Sequence, residues 1–249
     1  MSTDTPRHQL RLAYERWAQE YLRSLPPEHF MEATPQGTQR KITLESLDLV
    51  HARRPEVQLF NELLVQYPYG RAKRPHQVVP DNMVVVYPEP IEAGGSYDVP
   101  LQPVGPYWVL EYVSRHSERK DYDESLRKYE RELKVPYYLG FHPEDQELLL
   151  FRHTGRRYRS VTPNGEGRHP IPELGLEVAL LGGWVRFWFE GKLLPLPGDM
   201  QRELDELSRR LRAAEERARG AEERAEEERR QKERLLARLR ELGIEPDLH

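Results

Sequence analysis

The sequence predicts an α/β (α+β) domain, a mixed β-sheet flanked by helices, followed by a long C-terminal coiled-coil helix. Three observations predict it. Apolar runs of strand length at residues 83–87, 107–114, 137–141, 148–152 and 158–161 are bounded by proline, glycine and turn residues. Helical patterns fall before and between these runs, which is the order of a sheet with helices laid on its faces. A heptad repeat occupies the last fifth of the chain.

From the start, residues 2–25 place Leu10, Ala13, Tyr14, Trp17 and Tyr21 at helical spacing, and Pro26 and Pro27 stop that helix. A second helix is predicted over 56–66, with Val57, Phe60, Leu63 and Leu64 on one face and Pro55 suited to its first turn. Residues 71–80 are basic and proline-bearing, 83–87 read as a buried strand, and the Pro- and Gly-rich stretch 89–104 reads as a loop. The run 107–114 is a second buried strand. A helix over 122–133 then leads into strands at 137–141, 148–152 and 158–161, with turns at 142–147 and Thr154-Gly155. Residues 178–181 and 184–189 flank Gly182-Gly183, the two-residue turn that a type I′ hairpin prefers.

In the tail, Leu204, Leu207, Leu211, Ala214, Ala218, Ala221 and Ala225 recur by threes and fours; after Glu228 and Lys232 the seam resumes with Leu235, Leu239 and Leu242. It spans roughly 58 Å at about 1.5 Å per residue. Gly220 weakens its alanine-rich middle by about 1 kcal/mol relative to alanine. Either this is a coiled coil that makes the protein a homodimer, or it is a single solvated helix held by Glu/Arg pairs at i, i+4. Gly243 and Pro246 suit a helix stop. The expected division is an N-terminal helix (1–27), a central domain (28–199) and the tail (200–249).

Composition narrows the function. The 249 residues carry no cysteine, which removes disulfides, thiolate catalysis and cysteine zinc sites, and agrees with a cytoplasmic setting. No apolar run approaches membrane-spanning length, and the start lacks a signal-peptide pattern, so neither membrane insertion nor export is expected. Gly-rich phosphate loops, paired histidines and the GxSxG elbow are missing. The net charge of -4 is spread evenly: 201–249 hold 13 of the 38 basic and 14 of the 42 acidic residues. A non-specific nucleic-acid binder usually carries a basic excess. Local clusters (Arg71, Lys73 and Arg74; Arg152, Arg156, Arg157 and Arg159) are DNA-facing patches or solvated surface.

Glu111 stands out. By strand alternation Tyr107, Val109, Glu111 and Val113 share one face, so a carboxylate lies between two valines. If that face is buried, the charge needs a partner or a metal; if it lines the rim, an arginine serves. Asp81 sits where loop becomes strand, in Val79-Pro80-Asp81-Asn82, ordinary turn chemistry by itself. Should the two strands be neighbours, both carboxylates can converge on one hard divalent cation, Mg2+ or alternatively Mn2+.

The Pro80-Asp81 pair followed by an apolar strand resembles the first acidic motif of the PD-(D/E)xK nuclease superfamily. More closely, Trp108 to Phe141, with Glu111, Val113-Ser114, Lys128 and Tyr129, and Val135-Pro136-Tyr137-Tyr138, resembles the Uma-type family of restriction endonucleases. The resemblance covers roughly residues 32–189. It implies a restriction-endonuclease-like fold and a magnesium-dependent DNA endonuclease, with Asp81 and Glu111 as metal ligands and a lysine that stabilises charge on the attacking or leaving oxygen.

Departures matter. Val113 occupies the superfamily's lysine position, and the family's usual lysine, four residues before the helix tyrosine, is Ser125 here. Lys128 is the candidate that remains. At roughly 100° per residue, Leu126, Tyr129 and Leu133 form the apolar face of 122–133, and Asp121, Ser125, Lys128 and Glu132 form the polar one. Glu32, with Glu56 as its rival, matches the family's early glutamate; no histidine follows near Gln39. The alternative function is a nuclease-fold binding or assembly protein that has lost its chemistry and oligomerises through the tail.

Overall fold

The structure, a computed structural model, describes residues 5–25, 34–113 and 119–241. It divides into two units, Met1–Leu196 and Pro197–His249. In chain order the first carries α1 (Thr5–Ser24), α2 (Thr34–His51), β1 (Val57–Asn61), β2 (Leu64–Tyr67), β3 (His76–Val78), β4 (Asn82–Val86), β5 (Ser96–Asp98), β6 (Trp108–Tyr112) and α3 (Arg119–Arg127). A π-helical stretch (Lys128–Leu133) continues α3, and β7 (Tyr137–His142), β8 (Glu147–His153), β9 (Tyr158–Ser160), β10 (His169–Ile171), β11 (Leu176–Leu181), β12 (Trp184–Phe189) and β13 (Lys192–Leu193) follow.

Six strands form the central mixed sheet in the order β1-β4-β6-β7-β8-β9. Only β6 and β7 run parallel; the other neighbours are antiparallel. Alternation along each strand splits the core in two. Val84, Trp108, Leu110, Leu139, Phe141 and Leu150 point to one face, against Ile42, Leu47 and Val50 of α2 and the apolar side of the antiparallel sheet β10-β11-β12-β13. Met83, Val85, Val109 and Tyr138 point to the other, against Val65, Tyr67, Val78 and Tyr97 of the sheet β3-β2-β5 and Tyr129 of the π-helical stretch. A sheet covered on both faces explains why its strands read as unbroken apolar runs.

The hairpin β11–β12 turns on Gly182 (φ +63°) and Gly183 (φ +84°), the positive pair that a type I′ turn requires. α1 presents Tyr14 and Ala18 inward, and its Tyr14 and Trp17 carbonyls accept hydrogen bonds from Gln66 and Gln77 of β2 and β3.

Two local expectations fail. Residues 56–66 are not helical: β1 and β2 belong to different sheets, and Glu62 turns between them with φ +47°. Apolar residues three and four apart satisfied a helical period by coincidence over a stretch too short to discriminate. The helix lies earlier instead, as α2, whose buried side mixes Ile42, Leu47 and Val50 with Gln39, Thr43 and Ser46 and so shows little apolar period. The segment 89–104 also contains β5, paired parallel with β2.

The second unit contributes α4 (Pro197–Glu241), with Pro197 in its first turn and Asp199 near its N-terminus, both favourable there. Arg230–Glu226 at 2.7 Å and Arg210–Glu206 are i, i+4 pairs along its exposed surface. Among the described residues no helix is long and apolar enough to cross a membrane.

Gln39 ties α2 to β12. Its Oε1 accepts from Val185 N (2.9 Å) and its Nε2 donates to Val185 O (3.2 Å), at a point that β13, paired only with Trp188 and Phe189, does not reach. Gln39→Leu strands both buried peptide groups and is expected to cost about 2–4 kcal/mol, read as a lower urea midpoint at unchanged slope.

Candidate active site

Asp81 immediately precedes β4. The antiparallel register Asn82↔Leu110 and Met83↔Val109, continued one residue, sets Asp81 opposite Glu111 of β6. The two carboxyl groups hydrogen-bond each other. Both residues keep partial exposure, so the pair lies at the margin of the sheet.

Each carboxyl is also held by a donor of its own. Asp81 Oδ2 accepts the Tyr112 backbone N–H at 2.5 Å, and Oδ1 accepts Gln36 Nε2 at 3.1 Å. Glu111 Oε1 accepts the Tyr129 hydroxyl at 2.6 Å. Gly140 of β7, a residue without a side chain, pairs with Glu111. A crevice beside Asp81 is lined by Gln36, Arg40, Glu62 and Tyr112. There Arg40 pairs with Glu62 at 2.8 Å, and Glu62 N donates to Asp81 O, so three acids stand at the ends of adjacent strands. A larger cleft of about 620 Å³, lined in part by Arg7, Arg11 and Asp98, lies apart from these carboxylates.

Burial pushes the Glu111 carboxyl well above the usual range, and the neighbouring Asp81 charge pushes it further; the Tyr129 hydroxyl opposes the shift without cancelling it. Burial likewise raises Asp81, against the Tyr112, Glu111 and Gln36 hydrogen bonds. Tyr129 moves up as well, through burial and then the charge of Glu111, so it stays a donor. Two hard oxygen groups that repel each other are a donor set suited to a divalent cation. Magnesium in particular takes only one or two protein carboxylates and fills its remaining positions with water and phosphate. Among the described residues no group of three or more His, Cys, Asp or Glu has metal-binding geometry.

The structure thus brings Asp81 and Glu111 together and leaves Lys128 apart. Lys128 Nζ donates to Gln77 O of β3 (3.1 Å) and pairs with Glu124 (3.0 Å). Its side of the helix is not solvated. β2 and β3 cover it, and Glu132, expected on a polar exposed face, is buried, accepting from Tyr67 Oη (2.9 Å) and His76 Nδ1 (2.7 Å). Glu56 pairs with Arg54 before β1, whose far end adjoins the site, while Glu32 lies outside the described residues. Tyr107, placed by alternation beside Glu111, precedes the strand proper and packs with the opposite core. Sequence reasoning missed Tyr129 as the donor that orients Glu111, and also Gln36 and the Arg40–Glu62 pair. Only Tyr129 carried a signal, as part of the helix motif.

A protein-family model described as "Uma2: Putative restriction endonuclease" matches residues 12–181. The chain belongs to this family. The matched region contains Asp81, Glu111 and Tyr129 and stops before β12, so α4 lies outside it. Among solved structures, the chain is similar to a "putative nuclease belonging to DUF820" from Anabaena variabilis ATCC 29413. Identity is 13% and the TM-score 0.45, over 58% of this chain and 75% of that one. No curated protein matches. Within this Uma2 chain Ser125 lies one helical turn before Tyr129, and side chains four apart on a helix are neighbours.

The raised carboxyl values carry a stability signature. A folded pKa above the unfolded one costs nothing below about pH 4, costs progressively more as pH rises from the unfolded to the folded value, at about 1.4 kcal/mol per unit, and levels off above it. Glu111→Gln in metal-free buffer should therefore raise the melting temperature at pH 8, by about 2–4 °C per kcal/mol. The gap should close near pH 4, and a lower Tm for the variant at pH 8 would contradict this account.

Proposed function

We propose that this chain is a divalent-metal-dependent DNA endonuclease, hydrolysing phosphodiester bonds, with Asp81 and Glu111 as the ligands of Mg2+ or Mn2+. The observation that carries the reading is the hydrogen-bonded pair of carboxyls with raised pKa, each oriented by its own donor, in a member of a family described as restriction endonucleases. A divalent cation supplies Lewis-acid stabilisation of a phosphodiester oxyanion and lowers the pKa of attacking water. The chain's own groups do the positioning. Tyr129 fixes one oxygen of Glu111, and the Tyr112 peptide and Gln36 fix Asp81.

One observation favours the rival reading of a nuclease fold without chemistry: Ser125 replaces the family's lysine, and Lys128 is occupied by Gln77 and Glu124. Charge stabilisation by Lys128 would require it to leave both partners.

Two measurements decide. Mn2+ is expected to raise the melting temperature of the wild type and not that of Asp81→Ala or Glu111→Ala, and plasmid cleavage in Mg2+ or Mn2+ should be lost in both. Ser125→Lys should raise the cleavage rate by up to about 100-fold, the lower end of what one electrophilic group supplies. Cleavage that persists in both alanine variants would overturn the assignment. A metal-dependent melting shift with no cleavage, even in Ser125→Lys, would favour the non-catalytic reading.

A further inference from the structure

α4 exposes Leu204, Leu207, Leu211 and Leu235, each more than half accessible, on one stripe. Isolated exposed leucines need no explanation, but a stripe repeating by threes and fours along a 45-residue helix is the surface a coiled coil buries. With Leu204 at position a, the a positions are Leu204, Leu211, Ala218, Ala225, Lys232 and Leu239, and Leu207, Ala214, Ala221, Glu228 and Leu235 are at d.

Flanking charges choose the orientation. In a parallel, in-register pair each g position meets the e position of the following heptad on the other helix. Arg210 then faces Glu215 of the second copy and Arg217 faces Glu222, each twice by symmetry, and only Arg224 against Arg229 is repulsive. The antiparallel alternative that matches leucine ends, with Leu211 opposite Leu235, sets Arg210 against Arg238 and juxtaposes Glu222 and Arg224 each with its own equivalent. Its one attractive contact is Glu215 with Arg229. Lys232 adds a second selection: a single lysine at an a position fixes register and strand number. Glu228 and Lys232 each face their own equivalent in successive core layers, and the carboxylates of the one layer lie next to the ammonium groups of the other. On pairing, Arg210 exchanges its exposed intrahelical partner Glu206 for Glu215 across the seam.

We propose that α4 binds α4 of a second copy of this chain as a parallel, in-register, two-stranded coiled coil. The pairing stands independently of the nuclease reading.

Because the chain has no cysteine, Leu207→Cys places a unique thiol at a d position of the full-length protein. Oxidation should link Leu207→Cys to itself, and Leu239→Cys to itself, with no preference for the mixed product. Sedimentation of the wild type at tens of micromolar should give a dimer. Glu215→Arg with Glu222→Arg should weaken that dimer by at least tenfold, and adding Arg210→Glu with Arg217→Glu should restore it. A monomer or a trimer, a cross-link formed only between the 207 and 239 variants, or a dimer indifferent to the charge reversal would each overturn the proposal.

Discussion

Two carboxyl groups side by side at the edge of a doubly covered sheet are the constraint on which the site depends. Unit charges about 4 Å apart at a protein surface repel by roughly 4 kcal/mol, so Asp81 and Glu111 cannot both ionise cheaply without a counter-charge. The protein tolerates the pair by hydrogen-bonding the two groups to each other and by giving each an outside donor. The sheet supplies the rigidity: Met83 and Val109, the next residues inward on the same face, are completely buried.

The helix after β6 serves two neighbours at once. Tyr129 reaches across to Glu111, while Lys128 and Glu132 lock onto β2 and β3 through Gln77, His76 and Tyr67. This happens on a π-helical stretch ended by Lys134 at φ +52°, and such widened turns recur at functional sites. The clamp to β3 accounts for a buried glutamate and an occupied lysine that a solvated helix face would not contain.

Much of the central sheet was legible because its inner strands, buried on both sides, have few polar residues to dilute their apolar runs: β4, β6 and β7 announce themselves, and so does the glycine turn of β11–β12. Glu111 was legible for the same reason, as the one charge in the buried runs of β4, β6 and β7. α2 was not, because half of its buried face is Gln39, Thr43 and Ser46: Gln39 and Thr43 bond each other, and the Gln39 partner Val185 comes from a distant strand that only the folded chain provides. β1 and β2 imitated a helix because strands of five and four residues are too short for periodicity to decide. Glu132 was read as solvated because periodicity tells which residues share a side of a helix and is silent about what covers that side.

The parallel pairing of β6 and β7 has a modular consequence. Parallel neighbours cannot be joined by a tight turn, so the chain between them must cross over the sheet, and here the crossover carries Tyr129. Glu111, the Tyr112 peptide, Tyr129 and Gly140 therefore come from one uninterrupted βαβ segment, residues 108–142. Most of the constellation is thus encoded in a single contiguous cassette of sequence. Asp81, with Gln36 behind it, is the piece that a host sheet must contribute.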